Sequence, residues 1–280
     1  MRVTEQNSRY LRLLGLDEVP RGIADLRALV RAHILRVPFE NVSKLLLLDR
    51  EGAGRPIAIE EFLDGLEFGD LGGTCYSCNP FLHLLLRELG YDADLLGCNM
   101  SNPNVHTAIR VRIDDVSYHV DVGYGSPFLE PVPVHAGHTF RMGEMKWRFE
   151  QQDDGRVRHR TYVGGREVHG YVANSEPRSY EFFRAIIADS FQPGSTFTTL
   201  LRMIRIFPDR MLELKDRTYK IHVAGGDTTT RTLNNMAELR RVVSEDHGLP
   251  RCPVEKAVEI LERINGFEFF GERKESSPYT

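Results

Sequence analysis

The sequence predicts an α+β protein with helices first, an antiparallel sheet or barrel next, and mixed strands and helices at the end. Three observations carry this. Apolar residues recur at helical spacing as far as Gly90. Beyond Gly90 the period becomes the alternation of half-buried strands, clearest over residues 107–113. Two further stretches of helical spacing, roughly 235–246 and 253–265, close the chain.

The elements follow in order. Residues 4–14 predict a short helix, with Thr4 as N-cap and Gly15 as the stop. Residues 22–35 predict a second, ended by Pro38, which pushes Val37 towards an extended backbone. Val37-Pro-Phe-Glu40-Asn41-Val42 sets two polar side chains between apolar ones, so at least one is expected to be buried with a partner. Leu45 to Leu48 fits a strand or a helical turn equally well. Residues 58–68 predict a third helix.

The stretch from Leu71 to Gly90 organises the rest. Gly72 and Gly73 form a tight turn that leads into a helix with Phe81, Leu82, Leu84, Leu85 and Leu89 as its apolar face. Cys75 falls at the start of that helix, where unpaired N–H groups and the dipole favour a thiolate. Three readings are open on these residues alone. Cys75 is a nucleophile, Cys75 and Cys78 are a C-x-x-C redox or metal pair, or both are small buried side chains.

Strands are expected at 94–100, 107–113, 117–122, 146–151, 157–162 and 167–172, with turns at Asp114-Asp115 and at Asp153-Asp154-Gly155. Residues 178–189 predict a helix, and 200–207, 211–214 and 219–223 predict strands. The tail from Arg273 to Thr280 is polar and expected to be loose.

Composition narrows the function. The chain has 280 residues, 41% hydrophobic and 27% charged, as in ordinary globular proteins. A formal net charge of −4 gives no basic footprint for nucleic acid. There is no apolar run of membrane-spanning length, and the first ten residues lack the apolar core of a signal peptide. Four cysteines make no disulfide framework, so the cytoplasm is the expected location. Cys98 and Cys252 are isolated, so the second pair that a structural zinc site needs is missing, and no metal is expected. Among the remaining histidines, His33 reads as a satisfied core residue, and His135 and His138 lack a carboxylate at metal-site spacing. Arg202, Arg205 and Arg210 read as solvated surface, or as contacts for phosphate.

Thiol catalysis needs a nucleophile, a nearby base and a group that orients the base. Cys75, His106 and Asp121 offer one of each in consecutive segments. If residues 114–115 make the turn and Ile113 faces Val116, His106 falls opposite Gly123, two residues beyond Asp121 and on the same face. Asp121 between Val120 and Val122 is costly unless paired.

Val37-Pro-Phe-Glu-Asn-Val42, Gly72-Gly-Thr-Cys75, Leu95-Leu-Gly97, Val105-His106 and Val120-Asp-Val-Gly-Tyr-Gly125 resemble, in order and spacing, the segments of the arylamine N-acetyltransferase family. The stretch 189–197 resembles, more loosely, a cleft-lining segment of that family. The resemblance implies a helical domain over 1–90 carrying the cysteine, a β-barrel over 91–190 carrying the histidine and aspartate, and an α/β lid over 191–280. It implies a ping-pong reaction in which Cys75 takes an acetyl group from acetyl-CoA and passes it to an arylamine or arylhydrazine. In that reading His106 holds the thiolate and transfers protons, and Asp121 orients His106. Gly123, Tyr124, Gly125 and Phe197 would lie along the coenzyme A cleft, and Phe39 would face the acceptor ring. Two positions depart from the family. Leu71 stands for the usual arginine partner of Glu40, which then needs a new cation or a proton. Ser77 stands for a usual glutamate. Two alternatives remain: an amide synthase that takes an acyl chain from a carrier protein, and a catalytically silent binding protein on the same scaffold.

Overall fold

The computed structural model describes residues 4–16 and 22–271. The tail expected to be loose lies outside the described residues. Five helices form the first layer: α1 (Glu5–Leu13), α2 (Ile23–Arg36), α3 (Val42–Glu51), α4 (Ile59–Gly69) and α5 (Cys75–Glu88). Thr4 caps α1 as expected, its side chain accepting from the Asn7 amide. The four leucines resolve as helix, within α3. In α5 the buried face is Cys78, Phe81, Leu82, Leu85 and Leu86. Leu84, assigned to that face from sequence, is instead 43% exposed, because it falls off the two rows that repeat every fourth residue.

Between α2 and α3 lies β1 (Phe39–Glu40). After α5 come β2 (Asp92–Asn99), β3 (His106–Ile113), β4 (Val116–Val120), β5 (Val132–Pro133), β6 (His138–Met142), β7 (Met145–Gln151), β8 (Val157–Val163) and β9 (Arg166–Pro177). They form an eight-stranded antiparallel sheet, a nearly closed barrel, in the order β5-β4-β3-β2-β9-β8-β7-β6. The hairpin register is the expected one, with Ile113 paired to Val116 and Ile109 to Val120. Its two-residue turn holds Asp114 and Asp115 at φ +47° and +62°, the left-handed geometry that matches strand twist.

The helix expected over 178–189 is broken. Strand β9 runs on to Pro177, Ser179 then caps a tight 3-10 turn, Tyr180–Phe183, and only Arg184–Asp189 (α6) is α-helical. A short α7 (Thr196–Thr199) follows, then β10 (Arg202–Ile206), β11 (Arg210–Lys215), β12 (Thr218–Val223) and β13 (Thr228–Thr232). Strand β13 is mostly exposed threonine and gave no alternation to read. The helix expected over 235–246 is α8 (Met236–Arg241) continued by a π turn, and α9 (Val254–Asn265) closes the described fold.

The second sheet has the order β1-β10-β11-β12-β13. Its edge strand therefore comes from the helical layer, with Phe39 paired to Ile204 and Glu40 to Met203. One apolar core joins α1, α2, α4 and α5 to the barrel. A second gathers Val42 and Leu45 of α3 with the second sheet, α8 and α9.

Candidate active site

Cys75 is the first residue of α5, in a turn that only glycine can build. A Cβ on Gly72 would come within 2.0 Å of the Pro38 carbonyl oxygen, and Gly73 has φ +123°. This close approach lets the backbone of β1 meet the turn: the Glu40 amide donates to the Gly73 carbonyl at 3.1 Å.

Glu40 is fully buried, and among the described residues it pairs with no cation. Its carboxyl accepts from the Ser43 amide at 2.8 Å, at the start of α3, and from the Gly72 amide at 3.0 Å. Burial raises its pKa against the pull of those amides, the proton alternative of the two that were expected. Asn41, equally buried, donates to the Phe197 and Leu200 carbonyls at 3.0 and 2.7 Å and accepts from the Arg202 amide at 2.7 Å. It fastens the 197–202 segment to β1, which brings Phe197 edge-on to Phe39 with ring centroids 5.8 Å apart.

The structure brings Cys75, His106 and Asp121 together. They are 7%, 3% and 3% exposed. His106 Nε2 lies 2.8 Å from Asp121 Oδ2, and Cys75 is close enough for its charge to act on the ring. Burial alone would discharge the imidazole, but the negative charges of Asp121 and Cys75 outweigh it and push its pKa up to about 10. Burial likewise opposes the charge on Asp121, yet His106 and its hydrogen-bond donors hold the carboxyl well below the usual range.

The donors around Asp121 are the residues that sequence reasoning missed. Asn79 Nδ2 donates to Oδ1 at 2.9 Å, and also to the Thr107 carbonyl at 2.6 Å. The Gly123 amide donates to Oδ1 at 3.0 Å, and the Tyr171 hydroxyl to Oδ2 at 2.8 Å. Asn79 Oδ1 accepts from the Val122 amide, so this one side chain ties the cysteine helix to both strands of the hairpin. Thr107 adds a bond from its hydroxyl to the Cys75 carbonyl at 2.8 Å. Asn79 carries one available signal, lying one helical turn after Cys75 and so on the same face. Tyr171 had none, being 50 residues from Asp121 in sequence.

Behind Tyr171 stands His119, fully enclosed, with Nε2 at 2.8 Å from the tyrosine oxygen. Tyr171 gives its hydrogen to Asp121, so Nε2 of a neutral His119 donates to Tyr171. Burial lowers the pKa of His119 to about 4. Pro80 has a compensating partner too. Lacking an N–H, it leaves the Tyr76 carbonyl free within the helix, and the Tyr180 hydroxyl donates to that carbonyl at 3.0 Å.

The other predicted positions surround this cluster. Gly123 lies under the cysteine, where a Cβ would come 2.6 Å from Cys75 Cα and 2.8 Å from Asn79 Nδ2. The Tyr124 ring is 5.3 Å from that of His106, and its hydroxyl bonds His169. Gly125 packs against Phe39 and Ile204. Burial pushes the thiols of Cys78, Cys98 and Cys252 upward, and all four cysteines are free.

Two expectations are corrected. His33 is buried but not satisfied: neither ring nitrogen has a partner among the described residues, and burial lowers its pKa to about 3. Arg202 and Arg205 are half-buried rather than solvated. Arg202 pairs with Glu213 at 2.5 Å and Arg205 donates to the Leu35 carbonyl. His138 stands 3.4 Å from Glu130, a pair only; among the described residues no group of three or more metal-binding side chains occurs. Among them, too, no helix is long and apolar enough to cross a membrane.

A family model described as N-acetyltransferase matches residues 22–251. The chain belongs to the arylamine N-acetyltransferase family. Family membership brings acyltransferase function with it. The arylamine N-acetyltransferase of Mycolicibacterium smegmatis is 29% identical over 233 residues, covering 77% of this chain and 82% of its own. Proansamycin X synthase of Amycolatopsis mediterranei is 28% identical over 262 residues, covering 85% of this chain and 97% of its own. In fold, the arylamine N-acetyltransferase of Mycobacterium marinum solved in complex with CoA superposes with a TM-score of 0.77 at 22% identity, over 92% of this chain and 98% of that one.

Proposed function

We propose that the protein transfers an acetyl group from acetyl-CoA to the nitrogen of an arylamine or arylhydrazine, through an acetyl-cysteine intermediate on Cys75. The observation that carries this reading is the buried His106, bonded to Asp121 and neighboured by a cysteine at a helix N-terminus. The CoA complex of the Mycobacterium marinum relative supports the choice of donor. The names of the relatives support the choice of acceptor.

In the first half-reaction the Cys75 thiolate attacks the thioester carbonyl. The C–S bond to the donor breaks, and the departing thiolate takes the proton held by His106. In the second, the acceptor amine attacks the acetyl-cysteine and gives its proton to His106, and Cys75 leaves as the thiolate. The imidazolium–thiolate pair is then restored, with no net redox change. Asp121 keeps His106 in the orientation and charge state that both steps need. Phe39 and Phe197 offer aromatic edges to the acceptor ring, while Gly123, Tyr124 and Gly125 border the path of the donor.

A second reading keeps these roles and replaces the donor by an acyl chain on a carrier protein, making the protein an amide synthase. The match to Proansamycin X synthase, over nearly its whole length, favours it.

Intact-mass spectrometry after brief exposure to acetyl-CoA, without acceptor, tests both. One acetyl adduct on the native protein, absent from Cys75→Ala and discharged by an arylamine, is the expected result. No adduct from a Cys75 that still alkylates readily would shift the reading to the carrier-protein donor. An inert Cys75 would end both.

A further inference from the structure

His119 is a polar residue in a place that suits an apolar one. It lies on β4, two residues before Asp121 and on the same face, and is 2% exposed. Its Nε2 stands 2.8 Å from the Tyr171 oxygen, while Nδ1 is buried without a partner among the described residues. The rings of Phe149 and Tyr171 pack around it at 5.3 and 5.9 Å between centroids. A leucine here would leave no nitrogen orphaned. Tyr171 already gives its own hydrogen to Asp121, so its burial does not require a histidine behind it. The bond from His119 therefore calls for a reason other than stability.

The reason lies in the direction of one hydrogen. With the hydrogen of His119 on Nε2, the Tyr171 hydroxyl points at Asp121 Oδ2. With it on Nδ1, a bare Nε2 would draw the Tyr171 hydrogen to itself and take a donor from the carboxylate. The charge on Asp121 selects the first arrangement. Burial keeps His119 neutral, so it brings no charge of its own. Its donation polarises the Tyr171 hydroxyl and strengthens the bond that hydroxyl makes to Asp121. Each donor on Asp121 stabilises the carboxylate by itself and so weakens its hold on the proton of His106.

That hold matters most after acylation. In the resting protein the Cys75 thiolate and Asp121 together keep His106 charged. Once the thiolate is a neutral thioester, Asp121 acts alone, and His106 must be without its proton to take one from the amine. The other titratable groups facing the ring are Cys98, paired with it in register from β2, His119 on β4, His159 on β8, and the Tyr124 and Tyr171 hydroxyls. Burial keeps all of these uncharged. We propose that His119 is a positioning residue for the second half-reaction: its Nε2–H aims the Tyr171 hydroxyl at Asp121, and the carboxylate so engaged leaves His106 free to take the proton of the amine. The inference deepens the reading that Cys75 is acylated and rests on it.

The test is the ring titration of His106, followed by NMR in Cys75→Ser protein, where the thiolate charge is absent as it is in the acyl-enzyme. Adding His119→Leu should raise the midpoint by about half a unit, the scale of one polarised bond in a chain. His119→Phe, which keeps a ring in place, should do the same. His119→Gln still presents an N–H to Tyr171 and should return the midpoint to that of Cys75→Ser alone. Native protein carboxamidomethylated on Cys75 gives the same comparison without a substitution at the cysteine. Discharge of preformed acetyl-enzyme by aniline, measured against pH, should shift alike, with about threefold slower discharge below the midpoint in His119→Leu. A midpoint that stays or falls in His119→Leu, or no recovery in His119→Gln, overturns the proposal. Slower discharge at an unmoved midpoint would mean a structural role and overturns it too. If no acetyl-enzyme forms, the acylation reading fails on its own, and the titration still decides whether His119 governs the proton on His106.

Discussion

Replacing Tyr171 by phenylalanine removes one oxygen from beneath the site and keeps the ring that packs 4.8 Å from His106. Asp121 Oδ2 loses a donor at 2.8 Å, a bond to a charged group worth about 1.5–3 kcal/mol. His119 loses the acceptor of its Nε2–H, and no change of tautomer rescues it, because Nδ1 is also buried without a partner among the described residues. That orphaned donor adds at least ~1 kcal/mol. The sum is about 3 kcal/mol, or roughly 6 °C in a chain of this size. Chemical denaturation of native protein, Tyr171→Phe and Tyr171→Phe/His119→Leu measures it. The double variant removes the orphaned group as well, so it should regain about 1 kcal/mol relative to the single variant. An unchanged midpoint in Tyr171→Phe, or a double variant weaker than the single one, would refute the reasoning.

Gly123→Ala drives a methyl group into Cys75 Cα and Asn79, so it should lower the melting temperature and slow alkylation of Cys75 by iodoacetamide, with a cost of at least ~2 kcal/mol in the overpacking range. His33 is held neutral in the fold, so stability should fall as pH drops from about 6.5 towards 3, by ~1.4 kcal/mol per unit from this one group. In denaturation series, His33→Leu should flatten that acid limb by one such slope, and an identical limb would contradict the assignment. His106 has the opposite sign: its stabilisation is complete below the unfolded value near 6.5 and disappears as pH rises through about 10. Asp121→Asn should bring the His106 ring titration, followed by NMR, down by several units, together with the rate of any acylation of Cys75.

The sequence was most readable where physics is local. The hairpin could be counted from its turn because period and turn length fix register, and this put His106 beside Asp121 correctly. Cys75 at a helix start followed from two glycines and an apolar period. What escaped was set by tertiary closure. Tyr171 reaches Asp121 only because β9 folds back beside β2 with an irregular register. Arg205 gave no sign that it would end under the Leu35 carbonyl. Residues 178–189 had helical spacing, but their first turn belongs to a 3-10 segment between a long strand and a short helix. Glu40 was expected to need a new cation or a proton; it has a raised pKa, and the amides at the start of α3 and in the Gly72 turn stand where the cation would.

The borrowed strand β1 has a consequence for how the molecule assembles during synthesis. Asn41 and Arg202, whose side chain and amide meet at 2.7 Å, are 161 residues apart. A ribosome delivering the chain from its N-terminus releases α5 and its cysteine long before β10 exists to pair with β1. Contacts of such separation form late, because the loop must be closed before they return any energy. The helical layer and barrel can therefore settle first, with the turn already on β1 but the other edge of β1 still waiting for β10. The wall that holds Phe197 closes only when the second sheet has been made. Until then the nascent protein carries its thiol in an unfinished cleft.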